Sequence, residues 1–171
     1  MIRAGKKISG FNAEKVEVDK MDELQEQIRR LVLAVNVIDG VYSKQCKAIG
    51  IKENTLTLLY ALDDGAAYSQ KELSEKWLIP KTTLNTIVKE CVAKGYLRLE
   101  PAAHNNEKTL RLTKRGRQYA QEVLAPVYQT EQRALAKTLT EFSPEFITAL
   151  EAFTDTLQKE NETFKGKSRH L

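Results

Sequence analysis

The chain has 171 residues and a mass of 19.4 kDa, the size of one domain or of a small module with an attached dimerisation element. Apolar residues make up 42%, and glycine and proline are few, which excludes a largely disordered or collagen-like chain. No apolar run approaches the roughly 20 residues of a membrane helix, and the charged start lacks the apolar stretch of a signal peptide. Two cysteines, Cys46 and Cys91, make neither a disulfide framework nor a zinc set, so we expect no cofactor or metal and a reducing, cytoplasmic location.

The first part of the chain predicts an extension followed by two helices. Residues 1–20 lack a sustained hydrophobic period and contain helix-breaking glycines, which predicts an N-terminal extension. Apolar residues at spacings of three and four then predict a long helix over residues 22–49, which Gly50 stops. Asn54 is the expected cap of a second helix that ends at residues 63–65.

The middle of the chain predicts a helix-turn-helix and a β-hairpin. Ser69, with glutamate three residues on, forms a capping box that starts a third helix. Residues 78–80 predict a tight turn, and a fourth helix follows over residues 81–94. Two stretches of alternating apolar and polar residues, 96–100 and 109–113, then predict a hairpin with a turn-rich tip.

The last part of the chain predicts two helices and a tail. Thr113 is the expected cap of a long helix over about residues 114–141, which Pro126 should kink or break. Ser143 caps the last helix, with proline at the first helical position and an acid in the first turn. The tail after about residue 163 is basic and contains glycine, so we expect it to fray.

These elements predict a mostly α (α+β) fold, a winged helix-turn-helix with long N- and C-terminal dimerisation helices. The expected organisation is an N-terminal extension (1–20), an N-terminal dimerisation helix (21–50), a winged DNA-binding module (51–116), C-terminal dimerisation helices (117–163) and a basic tail (164–171).

A homodimer is expected because the apolar stripe of the first helix spans about five turns, more than a lone winged module covers. The phenylalanines and leucines of the last helix need partners as well. The expected dimerisation residues are Leu24, Ile28, Leu31, Val35, Phe146, Leu150, Phe153 and Leu157.

Charge is concentrated in the middle of the chain. Residues 69–117 contain 11 basic and 5 acidic side chains, net +6, whereas residues 21–68 are net −2 and residues 118–163 are net −5. A polyanionic partner is drawn to the middle rather than to the ends. The plainer alternative is that any chain with a pI near 9.0 has some basic stretch.

The fourth helix has one apolar face and one acid-free polar face. Hydroxyl, amide and ammonium groups of this kind bond base edges and phosphates, and free amides at a helix start attract phosphate. We therefore expect double-stranded DNA as the partner, contacted by Ser69, Gln70, Lys81, Thr82, Thr83, Asn85, Thr86 and Lys89, and at the wing by His104, Asn106, Lys108 and Arg111. The alternatives are that the helix face is merely solvated, that His104 is an exposed turn histidine without a role, and that Arg98 and Arg111 are ordinary outward strand charges that pair with Glu100.

Four stretches, residues 69–73, 80–89, 94–97 and 110–116, together resemble the MarR family of bacterial and archaeal transcription regulators. With the long flanking helices the resemblance covers about residues 22–160. It implies an obligate homodimer held by the first and last helices, and palindromic operator DNA with the fourth helix in the major groove and the wing in the minor groove. It often implies relief of DNA binding by a small ligand or by cysteine oxidation, so we expect a repressor with a small-molecule effector.

The wing departs from the family pattern. Such wings usually carry Asp-x-Arg-Asp, whose arginine enters the minor groove, whereas residues 104–107 read His-Asn-Asn-Glu. Lys108 or Arg111 is the expected substitute.

Cys91 shares the apolar face of the fourth helix and is interpreted as core packing. Cys46 has Lys44 and Lys47 nearby in sequence, which leaves a redox-active thiol as the alternative, but it too is interpreted as inert.

Two other functions compete with DNA binding. A neutral or acidic recognition face would favour a winged helix that binds only proteins, and this face is neither. The atypical wing is the best support for that alternative. Catalysis is not expected, because the chain has no glycine-rich phosphate loop, no metal-spaced His–Glu pair and only His104 and His170 to serve a nucleophilic triad.

Overall fold

The computed structural model describes the backbone of residues 13–101 and 108–168 and the side chains of residues 20–101 and 108–164. The described elements are α1 (Ala13–Ile49), α2 (Glu53–Leu62), β1 (Tyr68–Ser69), α3 (Gln70–Lys76), α4 (Lys81–Ala93), β2 (Leu97–Pro101), β3 (Lys108–Leu112), α5 (Lys114–Thr138) and α6 (Glu145–Ser168). The fold is mostly helical with a small antiparallel sheet, which confirms the predicted fold class. The chain divides into two compact units after residue 117.

Helix α1 is longer than its hydrophobic stripe. It starts at Ala13, so residues 13–20, predicted as part of an extension, are helical instead. That stretch holds no glycine or proline and contains the good helix formers alanine, glutamate and lysine, so it continues the helix although its apolar period is weak. The helix ends as predicted: Gly50 has φ of 80°, and the amides of Gly50 and Ile51 both donate to the Cys46 carbonyl.

Helix α2 begins at Glu53, two residues earlier than a cap at Asn54 would allow. Lys52 is the N-cap and makes no side-chain capping bond, so the prediction of Asn54 as cap is wrong. The amides of Thr55 and Leu56 donate to the Lys52 carbonyl, which closes the first turn with Asn54 already inside it. The end is as predicted, with Gly65 at φ of 77°.

The capping box of α3 is present in full. The Glu72 amide donates to the Ser69 hydroxyl at 3.1 Å, and the Ser69 amide donates to the Glu72 carboxylate at 2.7 Å. At the other end of α3 the Ser74 hydroxyl donates to the Ile79 carbonyl, which fixes the turn into α4. Within that turn Leu78 has φ of 52° and is 75% exposed, while Ile79 is buried.

The sheet has three strands in the order β1-β3-β2, all antiparallel. The hairpin of β2 and β3 confirms the prediction, with Leu97 opposite Leu112 and Leu99 opposite Leu110. Strand β1 was not predicted, because two residues are too few to show an alternating pattern. The hairpin tip, residues 102–107, lies outside the described residues.

Helices α2, α3 and α4 and the sheet enclose an apolar core. Its fully buried side chains are Leu58, Leu59, Leu62, Leu73, Ile79, Leu84 and Leu110. Burying each stabilises the fold by roughly 2 kcal/mol relative to exposure. This core fixes the orientation of α4, since Leu84, Ile87, Val88 and Cys91 all point into it as predicted.

The start of α5 is joined to the end of α4 through Thr113. Its hydroxyl donates to the Gly95 carbonyl at 2.6 Å and accepts from the Gly116 amide at 2.9 Å, which confirms the predicted cap. A Cβ on Gly116 would lie 1.9 Å from the Tyr96 carbonyl oxygen, so only glycine fits this close approach.

The last two helices differ from expectation in two respects: α5 does not break at Pro126, and α6 does not end at residue 163. Helix α5 passes through Pro126 without a break and ends at Thr138, because proline removes only one amide donor and the ladder resumes beyond it. Helix α6 continues to Ser168, past the expected fraying point at residue 163, since a single glycine in a helix costs only about 1 kcal/mol. The Ser143 cap is present, with the Glu145 amide donating to its hydroxyl.

Candidate nucleic-acid interface

Helix α4 presents its polar face to solvent. Lys81, Thr82, Asn85, Thr86 and Lys89 are all exposed, while the apolar face is fully buried. No described residue of that exposed face carries a carboxylate. Glu90 lies beside it and pairs with Lys52 at 3.8 Å, which draws its charge toward the start of α2. The arrangement offers an amide, two hydroxyls and two ammonium groups on one surface.

The start of α4 is open to an anion. Its N-cap, Pro80, makes no side-chain capping bond, and the first turn contains no acidic residue. The amides of Lys81, Thr82 and Thr83 come before the first intrahelical donor, the Leu84 amide that bonds the Pro80 carbonyl, and so remain available as donors. Thr86 already uses its hydroxyl proton on the Thr82 carbonyl, so it can only accept from a ligand.

The start of α3 is occupied by its own capping box. Ser69 is 7% exposed, and both its amide and its hydroxyl are bonded to Glu72. The carboxylate of Glu72 lies where a phosphate would approach, and the Ser69 amide lowers the pKa of that carboxyl below its usual range. Gln70, half-buried, is the group of this helix start that stays available.

The wing distributes its cations unevenly. Lys108 is exposed at the end of β3, whereas the Arg111 guanidinium donates to the Gly65 carbonyl at 2.6 Å and pairs with Glu100 at 3.2 Å. Arg98 also pairs with Glu100, at 2.7 Å. These contacts favour the alternative in which Arg111 is a structural strand charge. His104 and Asn106 lie outside the described residues.

A cavity of about 520 Å³ lies behind α4, against the end of α1 and the start of α2. Two of the predicted contact residues line this cavity, namely Thr83, which is half-buried, and Thr86, which is exposed.

A second cavity, of about 530 Å³, lies between α1, α2 and the end of α3. Sequence reasoning did not identify its lining. The residues are far apart along the chain, and no local pattern brings Asp39 near Trp77. Its lining residues are Asp39, Tyr42, Cys46, Glu53, Leu56, Thr57, Tyr60 and Trp77.

Both cysteines are buried, which supports the interpretation that they are inert. Cys46 is 2% exposed and Cys91 is 4% exposed. Burial raises the pKa of each thiol, and the Glu53 carboxylate raises that of Cys46 further. A raised pKa leaves little thiolate near neutral pH, so neither group is activated for reaction with an oxidant.

The predicted dimerisation residues lie on exposed apolar faces. On α1, Leu24 is 47%, Ile28 50% and Val35 42% exposed, and Leu31 is half-buried. On α6 the exposed set is Phe146, Leu150, Phe153 and Leu157. Apolar surface arranged in a continuous helical stripe is typical of an interaction face.

A helix-turn-helix followed by a hairpin, with a third strand completing the sheet, defines a winged-helix protein. The model of the MarR family matches residues 49–105, which confirms the resemblance found in the sequence. The match spans the helix-turn-helix and the beginning of the wing.

Solved structures of MarR family proteins share the fold over most of the chain. A regulator from Neisseria meningitidis has a TM-score of 0.65 at 24% identity, covering 83% of this chain and 98% of its own. A transcriptional regulator from Silicibacter pomeroyi DSS-3 has a TM-score of 0.63 at 19% identity, with 90% and 99% covered. MarR from Staphylococcus aureus, solved in complex with salicylate and kanamycin, has a TM-score of 0.61 at 20% identity, with 82% and 97% covered. No curated protein is significantly similar to the chain in sequence.

The described residues contain neither a membrane-spanning helix nor a cluster of metal-ligand side chains. In that part of the chain each helix is too short or too polar to cross a lipid bilayer. The same residues contain no group of three His, Cys, Asp or Glu side chains arranged to hold a metal ion.

Proposed function

We propose that this protein is a MarR-type transcriptional regulator that binds palindromic operator DNA as a homodimer, and that it is a repressor relieved by a small ligand. The observation that carries the proposal is the exposed, acid-free face of α4, held outward by the four buried residues on its other side. A helix start that lacks acidic residues and carries lysines suits a phosphate backbone, whereas a protein-interaction surface does not require one.

The size of α4 suits a DNA groove. Its 13 residues extend about 20 Å, and the major groove, about 12 Å wide, admits one helix. Asn85 is the candidate for bidentate bonding to adenine, and Thr82 for a base edge or a thymine methyl group. Lys81 and Lys89 bond phosphate or guanine from the two ends of the face.

The wing contributes through Lys108, and through His104 and Asn106 at the tip, to the neighbouring minor groove. Arg111 has a different part in the proposal. Its bonds to Gly65 and Glu100 join the hairpin to the loop after α2, so it positions the wing. At the start of α3 the phosphate contact falls to Gln70, since the hydroxyl of Ser69 is used by the cap.

A homodimer supplies the second recognition helix. The exposed apolar stripes of α1 and α6 are the surfaces that pair. Two copies of α4 about one DNA turn apart, roughly 34 Å, then match the two halves of a palindrome.

Relief by a ligand is supported by the cavity between α1, α2 and Trp77. Its volume of about 530 Å³ lies in the range of small-molecule sites. A ligand there contacts both the long helix of the dimer stripe and the helix-turn-helix, and it shifts DNA affinity if its own affinity differs between the two arrangements.

The experiment is a gel-shift titration on DNA from upstream of the protein's own gene, repeated over a range of salt. Asn85→Ala should weaken operator binding by about 1–3 kcal/mol, that is 5- to 150-fold, and mainly at one base pair. Lys89→Ala should weaken binding to all sequences alike. With about six phosphates neutralised per dimer, log K against log salt should slope near −5.

Lys137→Ala is the matched control, because this exposed lysine of α5 lies outside the α4 face. Circular dichroism of each variant checks the fold. Unchanged affinity in both Asn85→Ala and Lys89→Ala at matched salt would remove the recognition-helix assignment. Absence of any sequence preference would favour the protein-interaction alternative.

A further inference from the structure

The cavity between α1, α2 and α3 is aromatic on one side. Tyr60 and Trp77 lie with their ring centroids 5.9 Å apart at an interplanar angle of 58°, and Tyr42 is on the lining as well. Leu56 and the buried Cys46 complete an apolar floor. Ring faces and aliphatic groups in this arrangement accept a flat or apolar ligand body.

The charged groups of the same cavity are all acidic. Asp39 on α1 and Glu53 at the start of α2 line it, and no lysine, arginine or histidine is among its described lining residues. The field of Glu53 reaches the interior, because it raises the pKa of the Cys46 thiol. A bound carboxylate or phosphate would be repelled by both groups, whereas a cation would be attracted by them.

One buried polar atom of the described lining side chains has no hydrogen-bond partner. The Trp77 Nε1 donor is buried and forms no hydrogen bond within the described part of the chain. An indole N–H only donates, and an ammonium group has no acceptor, so this atom forms no hydrogen bond with a cation. The attraction for a cation therefore comes from the two carboxylates and the ring faces, and not from Trp77 Nε1.

We propose that this cavity binds an organic cation, a protonated amine attached to an apolar or aromatic ring, with the ammonium group near Asp39 and Glu53 and the ring against Tyr60 and Trp77. Ammonium groups are attracted both to carboxylates and to the faces of aromatic rings. The claim that this cation relieves DNA binding rests on the proposed function. The claim that the cavity binds a cation rests on the cavity alone.

Trp77 is the only tryptophan of the chain, so its fluorescence reports occupancy directly. The probes are three compounds of nearly equal size: phenethylammonium, uncharged 2-phenylethanol and anionic phenylacetate. Titration into the full chain without DNA should show phenethylammonium binding at least about tenfold more tightly than the other two. Phenylacetate binding as tightly as phenethylammonium would overturn the assignment.

Two charge-neutralising variants locate the cation. Asp39→Asn and Glu53→Gln should each weaken phenethylammonium binding about three- to tenfold while leaving 2-phenylethanol binding unchanged. Glu23→Gln is the matched control, since it removes the same charge from an exposed site on α1 that does not line the cavity. Persistent binding of 2-phenylethanol shows that a variant is folded, and unchanged phenethylammonium affinity in both variants would overturn the proposal.

The outcomes of the DNA-binding experiment and of the ligand-binding experiment are independent of each other. Cation selectivity in a protein without operator binding would keep the site and remove its role as an effector site. Operator binding without cation selectivity would keep the proposed regulator and remove the cation site. Addition of phenethylammonium to the operator complex should shift the apparent dissociation constant for DNA upward in the unaltered protein, and less so in Glu53→Gln.

Discussion

The large apolar side chains are buried in the winged segment (residues 53–112) and exposed along the long helices α1 and α6. In α2, α3 and α4 the leucines are 0–5% exposed. Along α6 all side chains from Glu145 to Phe164 are exposed, and Leu24, Ile28 and Val35 of α1 are each more than 40% exposed. Both regions contain regular apolar stripes, so periodicity alone does not distinguish them.

The difference in burial shows that the two regions are stabilised in different ways. The winged segment closes its core within about 60 residues, because three helices and three strands surround one set of leucines. The stripes of α1 and α6 retain water-exposed apolar area that only a further surface removes. In our proposal that surface is the second copy of the chain.

The largest expected effect is on the core of the winged segment. Leu58→Ala should lower the free energy of unfolding by about 3 kcal/mol, because Leu58 is fully buried and the cavity left behind is not refilled. Leu33→Ala, the same change at a 63% exposed position of α1, should cost less than about 1 kcal/mol. Urea denaturation measures both, and equal losses would contradict the contrast between the regions.

The next effect concerns the stripe of α1. Ile28→Glu should raise the dissociation constant of the homodimer at least about tenfold, because each dimer would bury two unpaired carboxylates. Sedimentation equilibrium over a range of concentrations measures it. Glu26→Gln, at an exposed acidic position of the same helix, should leave the constant unchanged. An unaltered protein that is monomeric at all concentrations would remove the dimer from the proposal.

A smaller effect, of opposite sign, is expected at the exception within the winged segment. Leu78 is 75% exposed and has a positive φ, which costs a side-chain-bearing residue about 1 kcal/mol or more. Leu78→Gly should therefore raise the free energy of unfolding by roughly 0.5–1 kcal/mol. Leu99→Gly, an exposed leucine in β2 whose φ is ordinary, should lower it.

The smallest effect is the pH dependence of the α3 cap. The Ser69 amide, and then its hydroxyl, lower the pKa of Glu72 below its ordinary 4.5. The cap therefore contributes its full stability above pH 4.5 and loses that contribution as the pH falls through the lower pKa of the folded state. In Glu72→Gln this part of the acid dependence should disappear from thermal melts, whereas Glu75→Gln should retain it.

Local patterns predicted the features that depend on neighbouring residues. The capping box at Ser69, the Thr113 cap, the stop at Gly50 and the buried face of α4 are all present. Each depends on hydrogen bonds or spacings within a few residues, so the sequence contains what decides them. Asn54 is not the cap, because the helix begins two residues earlier with Lys52 as its N-cap, and capping preference alone does not resolve which residue starts a helix.

Tertiary packing decided the contacts between residues that are far apart along the chain. Strand β1 forms only because Tyr68 and Ser69 lie opposite Leu110 and Thr109. The Arg111 guanidinium donates to the carbonyl of Gly65, 46 residues away, and so holds the wing against the loop after α2 instead of remaining a free cation. No pattern around either residue predicts that bond.

The amino-acid sequence by itself determined where the helices lie, which of their faces are apolar and that the polar face of α4 lacks acids, because helical period and side-chain chemistry are local properties. Only the tertiary structure decided which stripe is enclosed and which stays exposed. It also decided that Asp39, Glu53 and Trp77 share one cavity, because contacts between distant residues depend on how the helices pack around a common core.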